Sequence, residues 1–293
     1  MRMNDYCKNC LLGKNIDAFP ASLSPGEAVE YKNALLSILE DEDPDLTAPE
    51  ASSRIRALKK ALWGEQPRDY YEIKRHFNAL MLRFVPDLEE DILYAGDPLV
   101  RALQYAMTGN FIDFAAFDSV EESKLMELLG KAREIPIDPS VLEKLRQQLL
   151  GARKLTYITD NCGEIVMDKL LLRQILRMNP SVEITVLLRG GRVVNDACME
   201  DAEQIGLPDM DPRVRCLANG TALDGTVLRR ISREAKDAIT LADLTIAKGQ
   251  GNYETLSGCG YNLFYLFMCK CELFMKRFGV PQFSGILARE IPE

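Results

Sequence analysis

Three short segments carry the residue types that could do chemistry, and each sits where a β-rich run gives way to a turn or helix. The first is Asp160-Asn161-Cys162-Gly163-Glu164. It follows an apolar run ending at Thr159 and opens a helical pattern. Hard oxygen donors beside the free N–H groups of a helix start suit a divalent cation and a phosphate together. The bland reading is a helix start alone, with Asn161 as N-cap and Glu164 closing a capping box three residues later. That reading leaves Asp160 as an extra carboxylate at a strand end. The second segment is Arg189-Gly-Gly-Arg-Val-Val-Asn195-Asp196, another Asn/Asp pair after a strand, for which a cap is again the plain alternative. Asp160, Asn161 and Asp196 together would give a cation three oxygen ligands, a set that favours Mg²⁺ or Mn²⁺ over zinc. The third segment is Lys248-Gly-Gln-Gly-Asn252, a lysine directly after a strand. It resembles a phosphate-gripping loop without being a P-loop, whose lysine follows its glycines; a Gly-rich turn with a solvated lysine explains it equally well. A fourth loop, 218–226, reads only as a turn.

The rest of the composition narrows the chemistry. The 293 residues include a single histidine, His76, in a charged helical stretch, where it reads as an ordinary helix residue. A multi-histidine zinc site is excluded, and a serine or cysteine device with a histidine base would have to use His76. The 8 cysteines are expected as reduced thiols, with Cys162, Cys198, Cys216 and Cys259 as packing residues. Cys7 and Cys10 form a lone CxxC pair, half of a zinc site. Cys269 and Cys271 could complete four thiolates; a reduced pair in a helical arm is the competing reading, and nothing thioredoxin-like surrounds the motif. The formal net charge of −8, with no basic tract, argues against nucleic-acid binding but not against a small phosphorylated ligand. No apolar run approaches the roughly 20 residues of a membrane span. The start of the chain shows no apolar signal core, so a cytoplasmic protein is expected.

These segments need a scaffold that brings strand ends together. The first half reads as helices: one beginning after Ser24, with Pro25 at its first position, then 49–63 ending before Gly64, 69–84 stopped by Pro86, 98–107, 119–130 and 139–150. The second half changes grammar, with short apolar runs at 154–159, 182–188, 214–217, 244–247 and 263–268. The last is ambiguous, because 263–278 could be one helix. The alternation predicts an α/β fold: a helical N-terminal region, 1–150, with the CxxC arm, then a Rossmann-like, mostly parallel sheet with helices on both faces, 151–293, carrying the metal and phosphate site. Ligands of such sheets bind at the carboxyl ends of the strands. Asp160 and Lys248 both stand there.

Taken in order, Asp-Asn-x-Gly-Glu, Asn-Asp-Ala-x-x-Glu-Asp-Ala, Lys-Gly-Gln-Gly-Asn-Tyr-Glu-Thr-Leu and Lys270-Cys271 resemble the DUF89 family, the damage-control phosphatases with an ARMT1-like metal-binding domain. The likeness runs over about half the chain. Gly109-Asn110 with Asp113 also matches, and the CxxC is similar to that of one branch. The resemblance implies that Asp160, Asn161 and Asp196 bind a divalent metal (Mn, Mg, Co or Ni). Asp160 and Asp196 would be central to catalysis. Lys248, with Glu164, Asn195 and Asn252, would meet the substrate and its phosphate. The loop at 219–221 matches a substrate-contacting loop by position only. The expected activity is hydrolysis of a phosphomonoester of a small metabolite, with the attacking group, a water or a protein nucleophile, left open. Two other classes remain: a nucleotide- or S-adenosylmethionine-binding protein or methyltransferase using the same crevice, and a CxxC-dependent structural protein.

Overall fold

In the computed structural model, residues 1–64, 69–112 and 121–290 are described. The helices before the sheet are α1 (Asp5–Asn15), α2 (Pro25–Leu39), α3 (Ala48–Trp63), α4 (Tyr71–Leu82), α5 (Val85–Tyr94), α6 (Pro98–Gly109), α7 (Glu122–Gly130) and α8 (Pro139–Gly151), with a 3₁₀ turn at Ala132–Glu134. Their starts obey local rules. Ser24 and Thr47 each accept from a backbone N–H three residues on while Glu27 and Glu50 reach back, and a proline occupies the first turn of both helices. Pro86 does more than stop a helix: it lies in the first turn of α5, which begins as α4 ends. The expected start of α7 at 119 lies outside the described residues, as does Asp113.

The second half alternates as β1 (Lys154–Ile158), α9 (Glu164–Met178), β2 (Glu183–Leu188), α10 (Met199–Gln204), β3 (Val214–Ala218), α11 (Arg233–Thr240), β4 (Leu244–Lys248), α12 (Gln250–Leu256), β5 (Leu263–Met268), α13 (Glu272–Phe278) and β6 (Gly285–Arg289). The sheet order is β3-β2-β1-β4-β5-β6. The first five strands are parallel and β6 is antiparallel to β5. The ambiguous run 263–268 is therefore a strand, fully buried, and the helix begins only at Glu272. The edge strand β6 was not foreseen. Its five residues include Gly285 and Arg289, and only Ile286 is buried, so it lacks the apolar signature of its neighbours.

Side chains alternate between two cores. Leu155 and Tyr157 of β1 and Phe264, Leu266 and Met268 of β5 pack with α6 and α9. Ile158, Leu263, Tyr265 and Phe267 pack on the other face with α11, α12 and α13. A third cluster, Met3, Tyr31, Leu35, Leu39, Leu46, Ala51 and Ile55, joins the first three helices. The tightest seam is α6 against α9. A Cβ at Gly109 would lie 3.1 Å from Met167 Cγ and 3.2 Å from the Glu164 Cα. That closeness delivers Asn110 to the start of α9. Strand order reverses between β1 and β4, so their carboxyl ends flank the crevice of an open α/β sheet.

Gly109→Val should wedge the seam apart and lower unfolding free energy by about 1–3 kcal/mol, as overpacking does; urea denaturation would measure it, and an unchanged midpoint would show that the seam yields without cost.

Candidate functional site

The chain turns sharply after β1, and three polar groups are buried there. Asp160, Asn161 and Glu164 are 7%, 2% and 0% exposed. Asn161 forms an isolated bridge with Asp196, which drops down from the loop after β2 and is itself 2% exposed. Val194, just before it, holds φ of 44°, a conformation that costs a β-branched residue on the order of 1–3 kcal/mol. The loop is tied down by Lys74 of α4, whose ammonium donates to the Asp196 carbonyl at 2.8 Å and pairs with Asp201 at 2.7 Å.

Neither expected cap forms as read. Helix α9 starts at Glu164 after Gly163, with no side-chain cap. The Glu164 carboxylate does reach back to the Asn161 N–H at 3.2 Å, but the Asn161 side chain donates instead of accepting. Its Nδ2 meets Asp160 Oδ2 at 2.7 Å and Glu164 Oε2 at 3.0 Å. The cap of α10 is Cys198, paired with Asp201, and not Asn195 or Asp196. The Asn161 amide is thus drawn to two neighbouring carboxylates rather than to the helix N–H groups.

Four buried carboxylates result, with two buried cations bonded to them. Arg189 sends Nε to Asp196 Oδ2 at 2.6 Å and Nη2 toward Asp160 Oδ1 at 3.5 Å, and Nη1 to Thr226 and Asn252. Lys248 reaches Glu164 Oε1 and Asp168 Oδ1, both at 2.6 Å, and the Ala106 carbonyl at 2.9 Å. Burial disfavours the ammonium, yet Asp168 and Glu164 outweigh it and hold the Lys248 pKa above its ordinary value. Burial raises the Asp168 carboxyl to about 7, against the pull of Lys248.

Asp160, Asn161 and Asp196 all line one cavity of about 680 Å³. Its other walls come from α1 and from the ends of β4 and β5, including Tyr6, Cys7, Cys10, Glu254, Lys270 and Cys271. Both Nδ2 protons of Asn161 are held by carboxylates and no hydrogen bond to its Oδ1 forms among the described residues, so the amide oxygen is the open acceptor of a cavity-lining residue. Two carboxylates and one amide oxygen, in a pocket with excess negative charge, fit a hard divalent cation. Among the described residues no group of three or more His, Cys, Asp or Glu side chains is arranged to hold a metal, and no four-thiolate site is formed there. Cys7, Cys10 and Cys271 line the cavity, whereas Cys269 is buried; all eight cysteines are free thiols. Burial pushes the Cys7 thiol up to about 12.

The sequence is matched by the family model of the damage-control phosphatase ARMT1-like domain over residues 3–286. The chain belongs to the ARMT1-like damage-control phosphatase family. It is 28% identical to a damage-control phosphatase of Archaeoglobus fulgidus, over 96% of each chain. It is 32% identical to one from Pyrococcus horikoshii, over 79% of this chain and 77% of that one. The crystal structure of a DUF89 family protein from Pyrococcus horikoshii superposes with a TM-score of 0.76 at 25% identity, covering 99% of this chain and 100% of that chain. The chain is therefore a phosphatase of the damage-control type, from a family that is generally metal-dependent.

Within this family member, the expected substrate contacts fall behind the cavity. Lys248, Glu164, Asn195 and Asn252 are each 0% exposed and none lines it. Asn195 donates to the Ile112 carbonyl, and Asn252 bridges Thr159, the Lys248 carbonyl and Arg189. A phosphate reaches Lys248 Nζ only by displacing a carboxylate. The residues that sequence reasoning missed are Arg189, whose Arg-Gly-Gly context reads as a turn, and Asp168, which a helical pattern hides as a polar position. Lys270, 5% exposed and cavity-lining, was noted only within a motif. His76 is an exposed helix residue 2.7 Å from Glu122.

Gly249 sits opposite Asp160 at φ of +80°, and a Cβ there would overlap the carboxylate, 2.7 Å from Oδ1 and closer still to Oδ2. Gly249→Ala should therefore fold with about 1–3 kcal/mol less stability and lose most turnover. Full phosphatase activity in that variant would show that the Asp160 carboxylate has no part in the reaction.

Proposed function

We propose that this phosphatase hydrolyses phosphomonoesters of small polar metabolites at the crevice between β1 and β4, using a divalent cation held by Asp160, Asn161 Oδ1 and Asp196. The observation that carries the reading is the convergence of those three oxygen donors on one cavity wall, backed by Arg189. Hardness favours Mg²⁺ or Mn²⁺, and Co²⁺ or Ni²⁺ are within the same donor chemistry. Such a cation would neutralise phosphoryl and leaving-oxygen charge.

The chain's own groups do the rest. Arg189 fixes the two carboxylates in one geometry and offsets part of their mutual repulsion. Lys270 supplies an ammonium on the facing wall, where it meets a phosphate oxygen. Glu164, Asn195, Asn252 and Lys248 act from behind the wall, orienting the groups that line it. The polar side chains on α1 and α12, among them Asn9 and Glu254, suit the hydroxyl groups of a metabolite. In this reading the division at residue 150 is functional: the region 1–150 braces and roofs the site, and 151–293 carries the metal and phosphate groups. A cytoplasmic setting accords with eight free thiols.

Purified protein should hydrolyse a generic aryl phosphate with Mn²⁺, Mg²⁺, Co²⁺ or Ni²⁺ and stop on chelation. Asp160→Ala should abolish the metal-stimulated rate; an unchanged rate would overturn the assignment, and nucleotide or S-adenosylmethionine binding without turnover would favour a binding protein. Lys270→Ala should raise KM about tenfold, roughly 1.4 kcal/mol, with metal affinity unchanged; steady-state kinetics and metal titration separate the two.

A further inference from the structure

We infer that Asp168 is a positioning residue for the cation site, acting through Lys248 and Glu164 on the orientation of the Asn161 amide. The inference rests on the metal-site reading above. Asp168 does not line the cavity and is 1% exposed on the second turn of α9. Its Oδ1 gathers the Tyr157 hydroxyl at 2.8 Å and the Lys248 ammonium at 2.6 Å. Lys248 in turn holds Glu164 Oε1 at 2.6 Å. Glu164 Oε2 is then the common acceptor for the Asn161 N–H, the Asn161 Nδ2 and the Asn110 Nδ2 at 3.2, 3.0 and 2.8 Å. Asn110 cross-braces the same corner, donating to Asp160 Oδ2 at 3.0 Å while its oxygen accepts from the Met268 N–H at 3.0 Å.

The consequence is directional. An amide presents either oxygen or NH₂ to a cation, and only the oxygen can ligate. Glu164 Oε2 and Asp160 Oδ2 select the flip that leaves Oδ1 outward. Lys248 pins the other Glu164 oxygen, and its ammonium is itself held by both Glu164 and Asp168. Asp168 also carries a cost, since its Oδ2 is buried without a hydrogen-bond partner. An unpaired buried acceptor is destabilising, a cost set against the ion pair that Oδ1 makes with Lys248. Its place beside Lys248 is explained if the ammonium must stay aimed at Glu164. This is an outer-shell role, of the kind that tunes metal affinity without touching the metal.

The test is Mn²⁺ titration followed by electron paramagnetic resonance of the free ion, on wild type and Asp168→Asn, with aryl phosphate kinetics beside it. The substitution keeps an oxygen for Tyr157 and Lys248 and removes the charge. Mn²⁺ affinity should fall about 10–100-fold, while kcat recovers to within a few-fold at saturating Mn²⁺. A lowered melting temperature with wild-type Mn²⁺ affinity would mean a structural role and overturn the proposal. If Asp168→Asn does not fold, Tyr157→Phe frees the same carboxylate on one side; it should weaken Mn²⁺ binding several-fold with kcat recovered, and unchanged affinity there would overturn the proposal too. The failures are distinguishable: wild type that binds no Mn²⁺ removes the metal-site reading itself, whereas wild type that binds with variants that match it removes only the role of Asp168.

Discussion

Burying four carboxylates around the turn from β1 into α9 is the constraint from which the rest of this molecule follows. Asp160, Asp196, Glu164 and Asp168 lie within a few residues of one crevice, and the cations bonded to them are Arg189 and Lys248. Removing one partner of such a pair costs about 3–5 kcal/mol, because a charge is left desolvated and uncompensated. The arrangement therefore depends on the hydrogen bonds and ion pairs that Arg189 and Lys248 supply. A site built this way suits a cation without needing histidine.

The helical half supplies much of that hydrogen bonding. Ala106 and Asn110 at the end of α6, Lys74 and Asn78 of α4, and the Ile112 carbonyl all bond to groups of the site loops. Arg56 of α3 pairs with Asp224, and Arg229 pairs with Glu50 at 2.8 Å. The Met1 ammonium meets the Glu254 carbonyl at 2.6 Å. Helices distant in sequence thus restrain the loops after β1, β2, β3 and β4, so the order of the crevice is a property of the folded chain rather than of its loops. Helix α1 adds a cavity wall carrying Tyr6, Cys7 and Cys10.

Particular residues show where sequence reading succeeds. Strand runs 154–158, 183–188 and 244–248 are short and mostly apolar, as strands buried on both faces of a parallel sheet tend to be. Ser24 and Thr47 start their helices by contacts within four residues, so their sequence neighbourhood contains the whole cause. Asp160, Asn161 and Asp196 were legible because a strand end followed by hard oxygen donors is a pattern local to each loop. By contrast, β6 is an edge strand with one buried residue, and it pairs antiparallel with the fully buried β5.

What the sequence by itself determined was the element grammar, the near exclusion of histidine chemistry and the three oxygen donors that face the cavity. Only the tertiary structure decided which polar residues reach the cavity and which stand behind it. Lys248 looks like a phosphate-gripping lysine, but Glu164 and Asp168, 84 and 80 residues away, surround its ammonium. Asn161 looks like a helix cap, but Asp160, Glu164 and Asp196 take it over. The physical reason is that a buried charge or amide is placed by its hydrogen-bond partners, and those of Lys248 and Arg189 arrive from distant parts of the chain. Chain spacing carries no record of them.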